Sequence, residues 1–468
     1  MATTNSLRPI VDRKTWEFMT PSPATSAAGA SFISANAEDP HSLQMFVGST
    51  TAQYIYHPKE DAWQQIATVT LGGTTAFGSG AYTNPGPTGT ATAGSATTMS
   101  TGLTIPGSLA GYKIRITAGT GRGQEPTILY NTTGANAVFT FTAALGTALD
   151  ATSVYELRTG RFWVFNGGTM SATSFQYYDV ATNTWTARSV TSAPASTTAD
   201  IRLIATSSTA VFATGTATSA TATTLVNSGK AWTTNQWTNQ QVRITGGTGA
   251  GQVRVITSNT ATALTVATWT VTPDATSTYT IEGDDYTLYL MGNAAVTLYK
   301  YSITNNTWST LTPGVARSGA PGAGLSGHWI RWQPEANWTD ETTIINGRRI
   351  YSFRGGATAT LDYYDIPGNT WTNSVAYLRS QETFTTGSGY AYTSGGYLYI
   401  QKDVTGRIFR YSPSTNTMDG WSTILYGQGA VVSNDRMFDV SYTDGATTLR
   451  FVYFLLNTST VMLRALVI

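Results

Sequence analysis

Apolar residues along this chain alternate with polar ones at a period of two, as in Arg348 to Arg354 (RRIYSFR) and Gly396 to Ile400 (GYLYI). In a strand, successive side chains point to opposite faces, so this alternation codes half-buried strands. Almost nowhere does a 3.6-residue period persist for three turns, and the chain is read as all-β. The longest apolar runs, Phe451 to Leu456 and Val461 to Ile468, are of strand length. None approaches the roughly 18 residues of a membrane-spanning helix. Thr, Gly, Ser, Ala and Asn are abundant and Lys and Glu scarce, which disfavours helices and favours strands joined by tight turns.

One pattern recurs: glycines or small residues, an aromatic strand ending in Tyr or Asp, a polar turn, then Trp. It is written as Tyr54 to Trp63 (YIYHPKEDAW), Tyr177 to Trp185 (YYDVATNTW), Tyr299 to Trp308 (YKYSITNNTW) and Tyr363 to Trp371 (YYDIPGNTW), with a looser copy from Phe409 to Trp421. Asp or Ser after the aromatic pair, such as Asp179 and Asp365, can accept hydrogen bonds from turn amides. Asn tolerates the left-handed conformation, and Trp63, Trp185, Trp308, Trp371 and Trp421 give each outgoing strand a large apolar face. The glycine pairs suit places where strands approach closely. In this order of Gly-Gly, Tyr-Asp and Trp, the repeat resembles the Kelch motif of β-propellers. Gly292 stands alone, and the first copy lacks the glycine pair. The resemblance implies a Kelch-like β-propeller of about six blades.

The five Trp are 122, 123, 63 and 50 residues apart, whereas a Kelch blade runs about 50. The first two intervals therefore hold insertions, and these are homologous to each other. Lys113 to Gln124 (KIRITAGTGRGQ) matches Gln241 to Gln252 (QVRITGGTGAGQ), and Asp150 to Tyr155 (DATSVY) matches Asp274 to Tyr279 (DATSTY). The expected organisation is an N-terminal arm over 1–25, a first blade over 26–75, an inserted β module over 76–158, propeller over 159–212, a second module over 213–283, and the remaining blades over 284–468. Each module falls between the first and second strands of adjacent blades, so both should project from the face that carries the Asn-Thr-Trp turns.

The chain has 468 residues, 27 Lys and Arg against 26 Asp and Glu, a net charge of +1 and no Cys. Charged residues make up 11%, where about 25% is ordinary. This balance argues against specific nucleic-acid binding and against an anionic membrane surface as partner. The absence of Cys removes disulfides, thiolate metal sites, Cys nucleophiles and the Cys-linked copper radical chemistry of some Kelch-type enzymes. Only His41, His57 and His328 are present, scattered. The first residues lack the apolar stretch of a secretory signal, and synthesis in a cytoplasm is expected.

The glycine-rich Gly246 to Gly251 lacks the Lys-Ser/Thr of a phosphate-binding loop and reads as a hairpin turn, as does its duplicate at Gly119 to Gly123. Forcing Arg348, Arg349 and Arg354 with Glu335 or Asp340 into a sialidase-like cluster fails on strand alternation. No catalytic, cofactor-binding or metal-ligating set is expected, and no enzyme activity. His328 to Trp338 breaks the repeat, and Trp329, Arg331, Trp332 and Trp338 have the composition of an interface hot spot. The Thr/Ser/Gly-rich inserts resemble segments in structural proteins of tailed bacteriophages. That resemblance implies a virion component of tail, collar or head surface, made in the host cytoplasm. Its partners would be copies of itself and other virion proteins. A glycan-binding adhesin, with a host surface glycan as partner, is the alternative.

Overall fold

The computed structural model describes residues 16–24, 31–35, 39–47, 52–72, 79–121, 124–166, 168–194, 196–197, 202–205, 211–232, 234, 237, 240–282, 287–291, 296–303, 305–319, 330–332, 349–353, 360–366, 368–375, 390–392, 397–402, 407–412, 415–423, 436–444, 447–455 and 460–467. Among them every regular element is a strand and every pairing is antiparallel, so the chain is all-β as its alternation implies.

Outside the inserts, the described strands form six four-stranded sheets, five of them with strands in sequence order, and a two-stranded pair. The first is Ser31–Ser34, Gln44–Val47, Gln53–His57 and Ala62–Gln65. The second is Ser79–Thr83, Arg161–Phe165, Phe175–Asp179 and Thr184–Ala187. The third is Arg202–Ala205, Thr287–Met291, Leu298–Ser302 and Thr307–Thr310. Ile330–Trp332, Arg349–Phe353, Leu361–Asp365 and Thr370–Val375 make the fourth. Tyr390–Tyr392, Leu398–Lys402, Arg407–Ser412 and Thr417–Thr423 make the fifth. The sixth joins Arg436–Asp444, Thr447–Leu455 and Met462–Val467 to Trp16–Met19, from the other end of the sequence.

The sheets pack on one another in succession through their apolar faces. Ile33, Met45 and Ile55 of the first meet Phe162, Val164 and Tyr178 of the second. Trp163, Phe165 and Phe175 of the second meet Leu288, Leu290 and Trp308 of the third. Met291 and Leu298 of the third meet Ile350, Tyr364 and Trp371 of the fourth. Tyr351 of the fourth lies 6.1 Å from Tyr411 of the fifth, ring centroid to ring centroid. Tyr399 and Ile408 of the fifth meet Val452, Phe454 and Leu463 of the sixth. Finally, Tyr453, Leu455 and Met462 of the sixth meet Phe46 and Tyr56 of the first. A fully buried side chain of this size contributes roughly 1.5–3 kcal/mol relative to exposure, so these faces hold the sheets together.

Of the arm expected over 1–25, residues 16–19 are thus a sheet strand. Trp16 packs edge-on against Trp421 and Phe454 at 6.4 and 6.3 Å, and Glu17 pairs with Arg464 at 2.8 Å.

Between the first and second strands of the second and third sheets lie two small β units of seven strands each. In the first, Thr88–Thr90, Val154–Leu157 and Ile114–Ala118 pair in that order. A bridge from Lys113 to Thr127 leads on to Ile128–Asn131, Val138–Phe141, Thr98–Ser100 and Ala93–Gly94. The second repeats the order as one sheet: Val211–Thr216, Thr278–Glu282, Gln241–Gly246, Val253–Asn259, Ala263–Val266, Thr224–Val226 and Ser219–Thr221. Each has its own core, Ile114, Ile116, Phe139 and Leu157 in one and Val242, Ile244, Leu264 and Ile281 in the other.

Candidate functional site

The repeated turn is where sequence and geometry meet most closely. In all five copies the second aromatic residue donates its phenolic proton across the turn. Tyr178 gives to Asn183 Oδ1 at 2.9 Å, Tyr301 to Asn306 at 2.7 Å, Tyr364 to Asn369 at 2.7 Å, Tyr411 to Asn416 at 3.0 Å, and Tyr56 to Asp61 at 2.7 Å. The acceptor residues sit at φ between 46 and 54°, the left-handed region that Asn and Asp enter at least cost. Asp179 Oδ1 accepts the amides of Ala181 and Thr182, and Asp365 Oδ2 accepts that of Gly368. Burial pushes the phenols of Tyr56, Tyr178 and Tyr364 well above the usual tyrosine range, which keeps them protonated as donors.

The same residues reach the preceding sheet, a role that turn chemistry alone does not suggest. Asn183 Oδ1 also accepts the amide of Ala67, Asn306 Oδ1 that of Ser189, and the Asp61 carboxylate that of Thr20. The indole N–H of Trp185 donates to the Ala67 carbonyl at 2.6 Å, that of Trp308 to Ser189 at 2.9 Å and that of Trp63 to Thr20 at 3.2 Å. Thr20, Ala67 and Ser189 each follow the fourth strand of the sheet before. Asn and Trp thus form a two-point latch onto the previous unit. Asn369 does the same in its own way, donating Nδ2 to the Thr312 carbonyl at 2.9 Å.

The inserted units carry a second duplicated lock. Asp150 Oδ1 accepts the amide and hydroxyl of Thr152 at 2.7 and 2.6 Å, and Asp274 Oδ1 accepts those of Thr276 at 2.8 and 2.6 Å. Ser153 and Ser277 donate to the carbonyls of Thr120 and Thr248, both at 2.7 Å. Gly119 and Gly247 have φ of 71 and 72°, and a Cβ on either would strike the carbonyl of Thr152 or Thr276. Gly119 to Gly121 and Gly246 to Gly251 therefore lie in turns, and no helix follows them among the described residues. Gln124 and Gln252 pin each turn to a neighbouring loop through the carbonyls of Thr147 and Val271.

The residues expected at an interface divide. Trp329 and Trp338 lie outside the described residues, as do His328, Glu335, Asp340, Arg348, Arg354 and the glycines Gly167, Gly292, Gly355, Gly356, Gly395 and Gly396. Arg331 and Trp332, expected in a loop, belong to the first strand of the fourth sheet, where they pair with Ile350 and Arg349. The repeat Trp are structural: Trp308 and Trp371 are buried, and Trp63, Trp185 and Trp421 are half-buried between sheets.

Several carboxylates are held in structural roles. Asp179 pairs with Arg161 at 3.0 Å, Glu156 with Arg158 at 2.8 Å and the fully buried Asp362 with Arg317 at 2.8 Å. Burial raises the Asp179 carboxyl above the usual range against the pull of Arg161. Among the described residues no group of three or more His, Asp or Glu is arranged to hold a metal ion. Apolar side chains stand exposed on both inserted units, Leu129 and Tyr130 on the first and Val255 and Val271 on the second.

No family model matches the chain, and no curated protein matches it. The crystal structure of Myxococcus xanthus glutaminyl cyclase is similar at 12% identity and a TM-score of 0.25, covering 40% of this chain and 72% of that one.

Proposed function

We propose that the chain is a non-enzymatic structural protein of a tailed-phage virion, acting through contacts with copies of itself and with other virion proteins. Its six four-stranded sheets would be the blades of a Kelch-like β-propeller. What supports that arrangement is the succession of shared apolar faces, which runs from the first sheet to the sixth and back to the first. The observation that carries the functional reading is the pair of homologous units inserted at equivalent points of adjacent sheets, each with its own core and with exposed apolar side chains. Duplicated, self-contained projections suit repeated contacts in an assembly, and near-zero net charge favours association.

Cryo-electron microscopy of the particle from which the chain comes, together with sedimentation of the purified protein, tests this. Density for the chain in the particle and an oligomer in solution are expected. A monodisperse monomer absent from the particle overturns the reading. The exposed Tyr130, 57% accessible, favours one alternative, a glycan-binding adhesin in which that ring stacks on a sugar. Specific binding on a glycan array, lost in Tyr130→Ala, with no oligomer formed, would replace the structural role by the adhesin.

A further inference from the structure

The first inserted unit is seated on the sheets by a polar cluster that the repeat and the module homology leave unexplained. Asp39, Pro40, His41 and Ser42 form the turn between the first two strands of the first sheet. The turn is an Asx-turn: Asp39 Oδ1 accepts the amide of His41 at 2.7 Å, and its carbonyl accepts that of Ser42. The remaining oxygen, Oδ2, accepts the phenol of Tyr112 from the inserted unit at 3.0 Å and that of Tyr82 from the second sheet at 3.3 Å. His41 Nε2 donates to the carbonyl of Ala110 at 3.0 Å, and its ring lies against that of Tyr112, centroids 5.0 Å apart. Ala181, from the repeat turn of the second sheet, joins the core of the same unit. The second unit has Gln240 where the first has Tyr112, as the alignment of Lys113 to Gln124 with Gln241 to Gln252 requires.

We propose that Asp39, with His41, Tyr82 and Tyr112, is a proton-operated clasp that seats the first inserted unit on the first two sheets, tighter as pH falls. Asp39 is 2% exposed, and a carboxylate removed from water is penalised while its acid form is not. The titratable groups around it are His41, Tyr82 and Tyr112, with Tyr178 behind Tyr112. Three donors and the nearby imidazole favour the charged form, but burial outweighs them, so the seated carboxyl holds its proton to higher pH than an exposed one. The seated state therefore binds more protons than the open state. It gains stability as pH falls through the raised value and loses it as pH rises. The inference rests on the hydrogen-bond geometry and burial of Asp39 and is independent of the virion reading.

Hydrogen exchange of the full-length protein across a pH series from about 4 to 8 tests it. The peptide spanning Ala110 and Tyr112 is read against the equivalent peptide around Gln240, which cancels the intrinsic pH dependence of exchange. The protection ratio is expected to be several-fold higher at the acid end of the series, and Asp39→Asn, which keeps an acceptor but cannot ionise, should hold the high ratio throughout. In Tyr112→Phe, which keeps the ring and removes only the hydroxyl, loss of one donor should move the midpoint to higher pH. A ratio unchanged across the series in the wild type, a persisting pH dependence in Asp39→Asn, or an unmoved midpoint in Tyr112→Phe each overturns the clasp.

Discussion

Both the six sheets and the two inserted units are built by repetition, but the repeats hold different things together. In the sheets, the conserved function of Asn and Trp within each copy is to grip the unit before: Asn306 and Trp308 meet Ser189, and Asn183 and Trp185 meet Ala67. In the inserted units, the repeated Asp-Ala-Thr-Ser turn is bonded, among the described residues, within its own unit, Asp274 with Thr248 and Thr276, Ser277 with Thr248. One kind of repeat distributes stability between neighbours, and the other confines it. A protein assembled from both should therefore unfold in more than one cooperative block.

The sharpest way to break this contrast is to delete residues 1–19. That removes a whole strand of the sixth sheet, with Trp16 from its packing on Trp421, and leaves the Asp61 latch without its anchored partner. The main calorimetric transition should lose more than about 5 kcal/mol, while the transition of the inserted units persists. Loss of both together would show that the units are not self-contained. Next in size is Trp308→Ala, at about 3–5 kcal/mol, and here hydrogen exchange should rise in the second sheet as well as the third. An effect limited to the third sheet would count against the latch. Gly247→Ala is expected to cost about 1–3 kcal/mol from its positive φ, with more from the Thr276 carbonyl, and exchange should rise only in the second unit. The smallest effect concerns the exposed carboxylates Asp150 and Asp274, which the hydroxyl and amide of Thr152 and Thr276 hold below the usual range. Their contribution is complete above the ordinary carboxylate value and is lost as pH falls through the lowered one. Both units should loosen over the same acidic window in an acid titration followed by NMR, and Asp150→Asn with Asp274→Asn should abolish that step.

Much of the local structure was legible because it is encoded within a few residues. Period-two stretches became strands, and the Asn of each repeat occupies the left-handed position that its side chain tolerates. The homology of the two inserts was legible from Lys113 to Gln124 and from Asp150 to Tyr155, whose partners in the fold are the same in both copies. What escaped sequence reasoning depends on distant partners. Trp16–Met19 is four residues long and pairs with a strand at the opposite end of the sequence, so nothing nearby marks it. The indole donors of Trp185 and Trp308 find carbonyls 118 and 119 residues away. Asp39-Pro-His is readable as a turn, but Tyr112, 73 residues on, is what gives it a second role. Ile330–Trp332 is too short to announce itself as a strand within an irregular stretch.

The pairing of Trp16–Met19 with Met462–Val467 also sets a timetable. Glu17 and Arg464 are 447 residues apart, and bringing such distant points together costs about 5 kcal/mol of chain entropy if nothing between them has folded. During synthesis the sixth sheet cannot close until residues 462–467 have left the ribosome, while each inserted unit carries a core drawn largely from its own residues. A chain released early would carry finished units on an unfinished set of sheets, with the apolar faces of Phe46 and Tyr56 uncovered. The hairpin of Thr447–Leu455 and Met462–Val467 thereby ties two distant stretches of translation together, since only a chain extended through it can bury the face of Phe46 and Tyr56.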